Sequence, residues 1–202
     1  MSFVPCLQLC RLMALLAGLA ALPAQAFTTV VIDAGHGGKD PGGYWYGTTE
    51  KRLCLDVAKR LQTALQAKGF KTVMTRTMDV YVELADRAAK ANRYRNAIFV
   101  SIHFNASRDR SISGFETHYR SKDGRVLAQS IQSALDRNIP GTNRGIHFRD
   151  YKVLRATHAT AALVECGFIS NKREYANCNS PAHRQKLANA IASGIAAVKG
   201  KL

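Results

Sequence analysis

Acid is scarce in this chain against base: 14 Asp and Glu stand against 29 Lys and Arg, a formal net charge of +15 before histidine is counted. The cations are scattered and sit in no nucleic-acid motif. The excess therefore describes a solvated surface suited to an anionic envelope polymer, and no nucleic-acid partner is expected. Long apolar runs are missing too, since the stretch Leu12 to Leu22 is too short to span a bilayer as a helix. No low-complexity linker or internal repeat interrupts the chain, which excludes a solenoid or a tethered array. Familiar catalytic signatures are also absent. There is no His-Glu-x-x-His helix and no Gly-x-Ser-x-Gly elbow, and the lysine of Gly37-Gly38-Lys39 precedes Asp40 where a phosphate loop requires Ser or Thr.

What is present begins with an export signal: Arg11, the apolar stretch, and the small-residue cleavage site Ala24-Gln25-Ala26. Setting residues 1–26 aside leaves 202 − 26 = 176 residues, and losing Arg11 leaves a charge of 28 − 14 = +14. A chain of that length forms one domain that buries roughly 70% of the surface its unfolded form exposes. The expectation is an exported, soluble mature chain, residues 27–202, in the periplasm or cell envelope and without a transmembrane anchor. Cys54, Cys166 and Cys178 remain after processing. An oxidising compartment permits one bridge, with Cys166 and Cys178 the pair nearest in sequence, and three buried thiols are the equal alternative.

Strand and helix patterns alternate along the chain. Thr29 to Ile32 reads as a strand running into the turn Gly35-His36-Gly37-Gly38, and Glu50 to Lys68 reads as a helix with Leu53, Val57, Leu61 and Leu65 on one face. Phe70 to Arg76, Asn96 to His103, Gly114 to Tyr119 and a short segment Tyr151 to Leu154 read as strands, as does the apolar run closing on Glu165. Leu84 to Tyr94, Leu127 to Leu135 and Pro181 to Val198 read as helices, and Asn105 to Ser113 and Phe168 to Asn179 as loops. The alternation implies a three-layer α/β sandwich on a mostly parallel or mixed sheet of about six strands, with helices on both faces.

In such sheets ligands bind outside the carboxyl ends of the strands, where side chains remote in sequence meet. His36, Glu50, His103 and Glu165 all fall at predicted strand ends or helix starts. A hydrolytic zinc ion needs three ligands from His and Asp/Glu with a fourth position open to water, and His36, Glu50 and His103 supply that set. Taken singly each has a plainer reading: Glu50 as a first-turn acid facing the helix dipole, His36 as a loop residue, His103 as a hydrogen-bonded core histidine. Glu165 resists one, because a carboxylate in Ala-Ala-Leu-Val-Glu-Cys-Gly-Phe is costly to bury unless paired, hydrogen-bonded or beside a metal.

Over nearly the whole mature chain these residues resemble the zinc-dependent N-acetylmuramoyl-L-alanine amidases, cell-wall hydrolases of the amidase-3 type. The likeness runs through Val31 to Gly42, Glu50-Lys51, Thr75-Arg76, Leu84, Arg87 and Ala91-Asn92, then Ser101 to Ala106, Gly114 to Thr117 and Leu163 to Asn171. Ala34 and Thr160 stand where that family usually has proline. The resemblance implies a phosphorylase/hydrolase-like fold, zinc on His36, Glu50 and His103, Glu165 as the catalytic carboxylate, murein as the partner, and a monomer. Some relatives carry a long site-blocking insertion after the second histidine. The short Asn105 to Ser113 segment here implies an open cleft. Asn105 and Arg155 are candidate substrate contacts, and Asp33 a candidate to orient a zinc histidine. Tyr44-Trp45-Tyr46 is expected to pack, and His118, His147, His158 and His183 to be structural or exposed. The alternatives are a zinc peptidase acting within the stem peptide and a non-catalytic wall-binding module.

Overall fold

The structure, a computed structural model, describes residues 27–202, so the expected export signal lies outside the described residues. Six strands form one sheet: β1 (Thr29–Ala34), β4 (Lys71–Met74), β5 (Ala97–Asn105), β6 (Phe115–Tyr119), β7 (Asn143–Phe148) and β8 (Thr160–Phe168), in the order β4-β1-β5-β8-β6-β7. Neighbours run parallel except β6 against β8, so the sheet is mixed. A small hairpin, β2 (Tyr44–Trp45) and β3 (Thr48–Thr49), leads into helix α1 (Glu50–Gln66).

Every residue of β1 is buried, as expected for a parallel strand covered on both faces. Alternation divides the apolar side chains between two layers. Val30, Ile32, Val100, Ile102 and Val164 meet α1, α3 (Lys122–Asn138) and α6 (Pro181–Ala196), while Val31, Phe99 and Leu163 meet α2 (Leu84–Asn92) and α4 (Lys152–Arg155). Leu53, Leu61 and Leu65 of α1 are fully buried, each contributing about 1.5–3 kcal/mol. The three-layer expectation holds.

Local expectations fared unevenly. Tyr151 to Leu154 is not a strand but leads into the one-turn helix α4, and the segment expected as a loop from Phe168 carries helix α5 (Lys172–Asn179), capped by the Asn171 side chain accepting from Glu174 N. In both places tertiary contacts decided: Val153 and Leu154 are buried against the sheet, and Cys178 is in the core. Strand β7 went unread because it is an edge strand, its sequence Asn-Arg-Gly-Ile-His-Phe exposed or half-buried throughout. His103 and Glu165 do not close their strands, since β5 continues to Asn105 and β8 to Phe168 around a register shift. Cys54, Cys166 and Cys178, the cysteines among the described residues, are buried and unbridged.

Helices α3 and α6 cross closely at Gly194, where an added Cβ would lie 2.6 Å from Ile131 Cα and 2.9 Å from Ser130 O; Ser130 Oγ donates to Gly194 O at 2.7 Å. In an exposed helix, replacing glycine by alanine stabilises by about 1 kcal/mol. Here overpacking reverses the sign, and Gly194→Ala is expected to destabilise the fold by about 1–3 kcal/mol in urea unfolding followed by circular dichroism. A midpoint equal to or above that of the unsubstituted protein would show that the crossing relaxes freely.

Candidate metal centre

The centre is built where β1 and β5 end. Beyond Ala34 the chain turns through His36, whose φ of 58° is a left-handed conformation uncommon outside glycine. Two buried arginines hold that turn. Arg76 donates to the carbonyls of Ala34 (2.9 Å), Gly35 (2.7 Å) and Lys51 (2.9 Å). Arg87 donates to those of Ala34 (2.7 Å) and His36 (2.8 Å) and pairs with Asp33 at 2.9 Å. Gly35 serves the second histidine: a Cβ there would stand 2.5 Å from His103 Nε2.

His36 Nε2 lies 2.9 Å and His103 Nδ1 3.0 Å from the same oxygen, Glu50 Oε1. Glu50 starts α1, is 6% exposed, and also accepts from Phe104 N (3.1 Å) and Gly43 N (3.0 Å). Burial penalises its charge, but the hydrogen bonds from His103 and His36 outweigh that and hold its pKa far below the usual carboxylate range. Burial likewise opposes charge on His36, and Glu50 and then Asp40 outweigh it, placing that imidazole above its ordinary value. Asp40 Oδ2 lies 2.8 Å from His36 Nδ1. A carboxylate only accepts, so with Asp40 on Nδ1 and Glu50 on Nε2 both ring nitrogens carry a proton here, and a metal ion would displace the one on Nε2.

Glu165 sits one strand away. Its Cα pairs with His103 on one side and Glu116 on the other, at strand spacings of about 4.8 Å. Its Oε2 is shut off from solvent and has no hydrogen-bond partner among the described residues. Burial first, then the charges of Glu50 and Glu116, pushes its carboxyl pKa well above the usual range.

One ligand atom from each of His36, Glu50 and His103 lies within 4.8 Å of the other two. Two imidazole nitrogens and a carboxylate form the donor set of catalytic zinc sites. A divalent cation fits these residues physically, because it would draw the crowded nitrogens off one oxygen and offset the like charges that burden Glu165.

The other expected residues fare differently. Asp33 touches no histidine; it accepts from Thr75 Oγ1 (2.7 Å) and Ser101 Oγ (2.6 Å) besides Arg87, and the carboxylate that orients His36 is Asp40. Asn105, at the end of β5, donates to Glu116 at 3.1 Å. Arg155 is exposed and paired with Asp150. Trp45 is half-buried against the core with the Arg110 guanidinium 5.1 Å from its ring centre. His118 is buried, His147 and His183 half-buried, His158 exposed. The Asn105 to Ser113 segment is pinned at the rim, with Ser107 N donating to Ser170 Oγ and Asn171 Nδ2 to Arg110 O. Sequence reasoning gave Asp40, Arg76 and Arg87 no such part. Arg87 was findable, since it shares the helix face of Ala88 and Ala91, where a cation has to be met by buried acceptors.

A mixed α/β sheet carrying a two-histidine, one-carboxylate cluster at its carboxyl edge, with a second carboxylate on the next strand, is a frame able to hold a metal ion beside a free carboxyl group. The profile of the family described as N-acetylmuramoyl-L-alanine amidase matches residues 30–197. The chain belongs to that family, and it is an amidase-class enzyme. It is 37% identical to the Bacillus subtilis protein YqiI over 180 residues, covering 87% of this chain and 86% of YqiI. It is 34% identical to the N-acetylmuramoyl-L-alanine amidase LytC of Bacillus subtilis over 170 residues, covering 82% of this chain but 34% of LytC, which is therefore a much longer protein. The crystal structure of N-acetylmuramoyl-L-alanine amidase from Clostridium difficile 630 superposes with a TM-score of 0.82 at 36% identity, covering 87% of this chain and 97% of that one.

If Asp40 fixes the tautomer and angle of His36, Asp40→Ala weakens divalent-metal binding about 10- to 100-fold while the fold persists. Competition against a chromophoric chelator measures this. Unchanged affinity would leave Asp40 as a turn residue only.

Proposed function

We propose that this chain is an exported zinc enzyme that hydrolyses the amide between the lactyl group of N-acetylmuramic acid and L-alanine in peptidoglycan. The observation that carries the reading is the convergence of His36 and His103 on Glu50 beside the unpartnered carboxyl of Glu165. Family membership supports the substrate, and the excess of cations suits an anionic wall. The export pattern of residues 1–26 supports a periplasmic or envelope location, and no described helix is long and apolar enough to cross a membrane. Residues 27–202 form the catalytic domain, working as a monomer.

His36, Glu50 and His103 are the ligands that would hold the ion. A zinc ion held there would supply Lewis acidity and bring the pKa of water down to about 7. Glu165 takes the proton of the attacking water and delivers it to the departing amine of L-alanine as the amide C–N bond breaks. Its seclusion suits that double duty. Burial and the neighbouring acids raise its proton affinity, so it holds the proton long enough to pass it on, while a cation in the centre keeps it ionised beforehand. Glu50, held far below the carboxylate range, stays anionic and keeps the ligand set intact. Asn105, fixed by Glu116, the register partner of Glu165, is a candidate to donate to the substrate; Arg155 is the more remote candidate.

Zinc analysis of the purified protein and mass spectrometry of a muropeptide digest test the reading together. The expected product is a stem peptide with a free L-alanine amino terminus, and cleavage between amino acids of the stem instead would make the chain a peptidase. Glu165→Gln is expected to keep zinc and lose about 10²–10⁴-fold in kcat, the range of general acid–base help. His36→Ala is expected to lose both zinc and activity. Loss of zinc in the glutamine variant, or its full activity, would remove Glu165 from the proton-transfer role.

A further inference from the structure

The face of the sheet that carries Glu165 is roofed unevenly. α2 and α4 lie over β1, β5 and β8, whereas the helix that packs on β6 and β7 is α3, on the opposite face. The strip of β6 and β7 that no helix roofs starts beside Glu165, since Glu116 is its register partner, and it is polar; Glu116 and His118 are themselves buried, His118 against the Tyr151 ring at 5.4 Å, and the exposed groups are Arg144 and Arg149. Glu116 and His118 of β6 lie next to Arg144 and His147 of β7, with Arg149 just beyond the end of that strand. Beside it opens a cleft of ≈ 440 Å³ lined by Glu116, Arg144, His147, Arg149, Ile112 and Phe168 among others.

Nearby cations differ in how far they are already spent. Arg120 and Arg155 both pair with Asp150. Arg144 pairs with Glu116 at 3.2 Å and lies 5.2 Å from the Phe168 ring centre, which fixes it in place. Arg149 donates to Phe148 O at 3.1 Å and has no carboxylate within ion-pair distance among the described residues. Its backbone N–H is tied to Tyr119 O at 2.9 Å, so an exposed and uncompensated guanidinium stands on a fixed main chain at the far end of the cleft.

We propose that this strip seats the acidic peptide arm of the substrate, with Arg149 meeting a free carboxylate and Arg144 lining the way to it. The inference rests on the amidase reading above and adds to it a recognition site for the part of the substrate that leaves. The reach agrees. From Glu165 to Arg149 is two strand spacings across and three residues along β6, roughly 14 Å, or about four residues of extended peptide. A carboxylate two to four residues beyond the scissile amide therefore falls within reach of a guanidinium, which binds carboxylates in a planar, two-pronged fashion. Stem peptides carry free carboxylates at that remove.

The test compares kcat/KM on a synthetic muramoyl pentapeptide with free carboxylates and on the same compound with its carboxylates amidated, for the zinc-loaded enzyme and for Arg149→Gln and Arg149→Lys. The unsubstituted enzyme should prefer the acidic compound by about five- to ten-fold, chiefly through KM, a preference worth roughly 1 kcal/mol or slightly more. Arg149→Gln should bring the ratio close to one, and Arg149→Lys should restore most of it, which a loss of folding would not do. An unsubstituted enzyme that treats the two compounds alike, or an Arg149→Gln variant with the full preference, overturns the inference while leaving the amidase reading intact. An enzyme that releases peptide from neither compound overturns the amidase reading and the inference with it.

Discussion

Two buried guanidiniums hold this site together. Arg87 and Asp33 are 2% and 1% exposed, and such a pair survives only because every remaining donor and acceptor is met. Asp33 is shared among Arg87, Thr75 and Ser101, and Arg87 spends its other donors on the carbonyls of Val82, Ala34 and His36. Arg76 ties Gly35 to Lys51, and so ties the turn that carries His36 to the helix that carries Glu50. Removing one member of such a pair strands a buried charge at a cost of about 3–5 kcal/mol, so the ligand turn and the sheet under it stand or fall together.

On that base the chemistry follows from competition for a small volume. Three donors, His36 Nε2, His103 Nδ1 and Phe104 N, converge on Glu50 Oε1, and Glu165 is held near a second negative charge, Glu116, with an oxygen that nothing among the described residues satisfies. Proteins seldom leave a buried carboxyl oxygen unpaired, and such groups concentrate where function needs them. The neighbouring carboxylates are treated very differently. Glu50 is pushed far down by two imidazoles and Glu165 well up by burial and like charge, the division of labour expected between a ligand and a proton carrier.

Legibility in the sequence tracked burial. The strands and helices that line the core, β1, α1, β5 and α6, carry apolar periodicity and could be read with small errors at their ends. Where an element is exposed or has only one turn, periodicity says little. Edge strand β7 went unread, α4 was expected as a strand, and α5 was expected as a loop although Asn171 caps it. Among the site residues, those flanked by strong strand or turn signals stood out. Asp33 was the acid expected to orient a histidine, yet strand alternation aims it at Ser101 and Arg87, and Asp40 across the turn meets His36.

Periodicity and residue type settled the fold class and the short list of groups able to bind a metal, and the ordered motifs carried the family resemblance, because all of these are local properties of the chain. Folding in three dimensions decided which groups meet. That Glu50, 53 residues before His103, shares an oxygen with it, and that Glu165 lies one strand further on, follow from the strand order β1-β5-β8 and its register. No local pattern encodes register between distant strands, which is set by the packing of two apolar layers at once. The same packing leaves no helix over β6 and β7 on the face that carries Glu165.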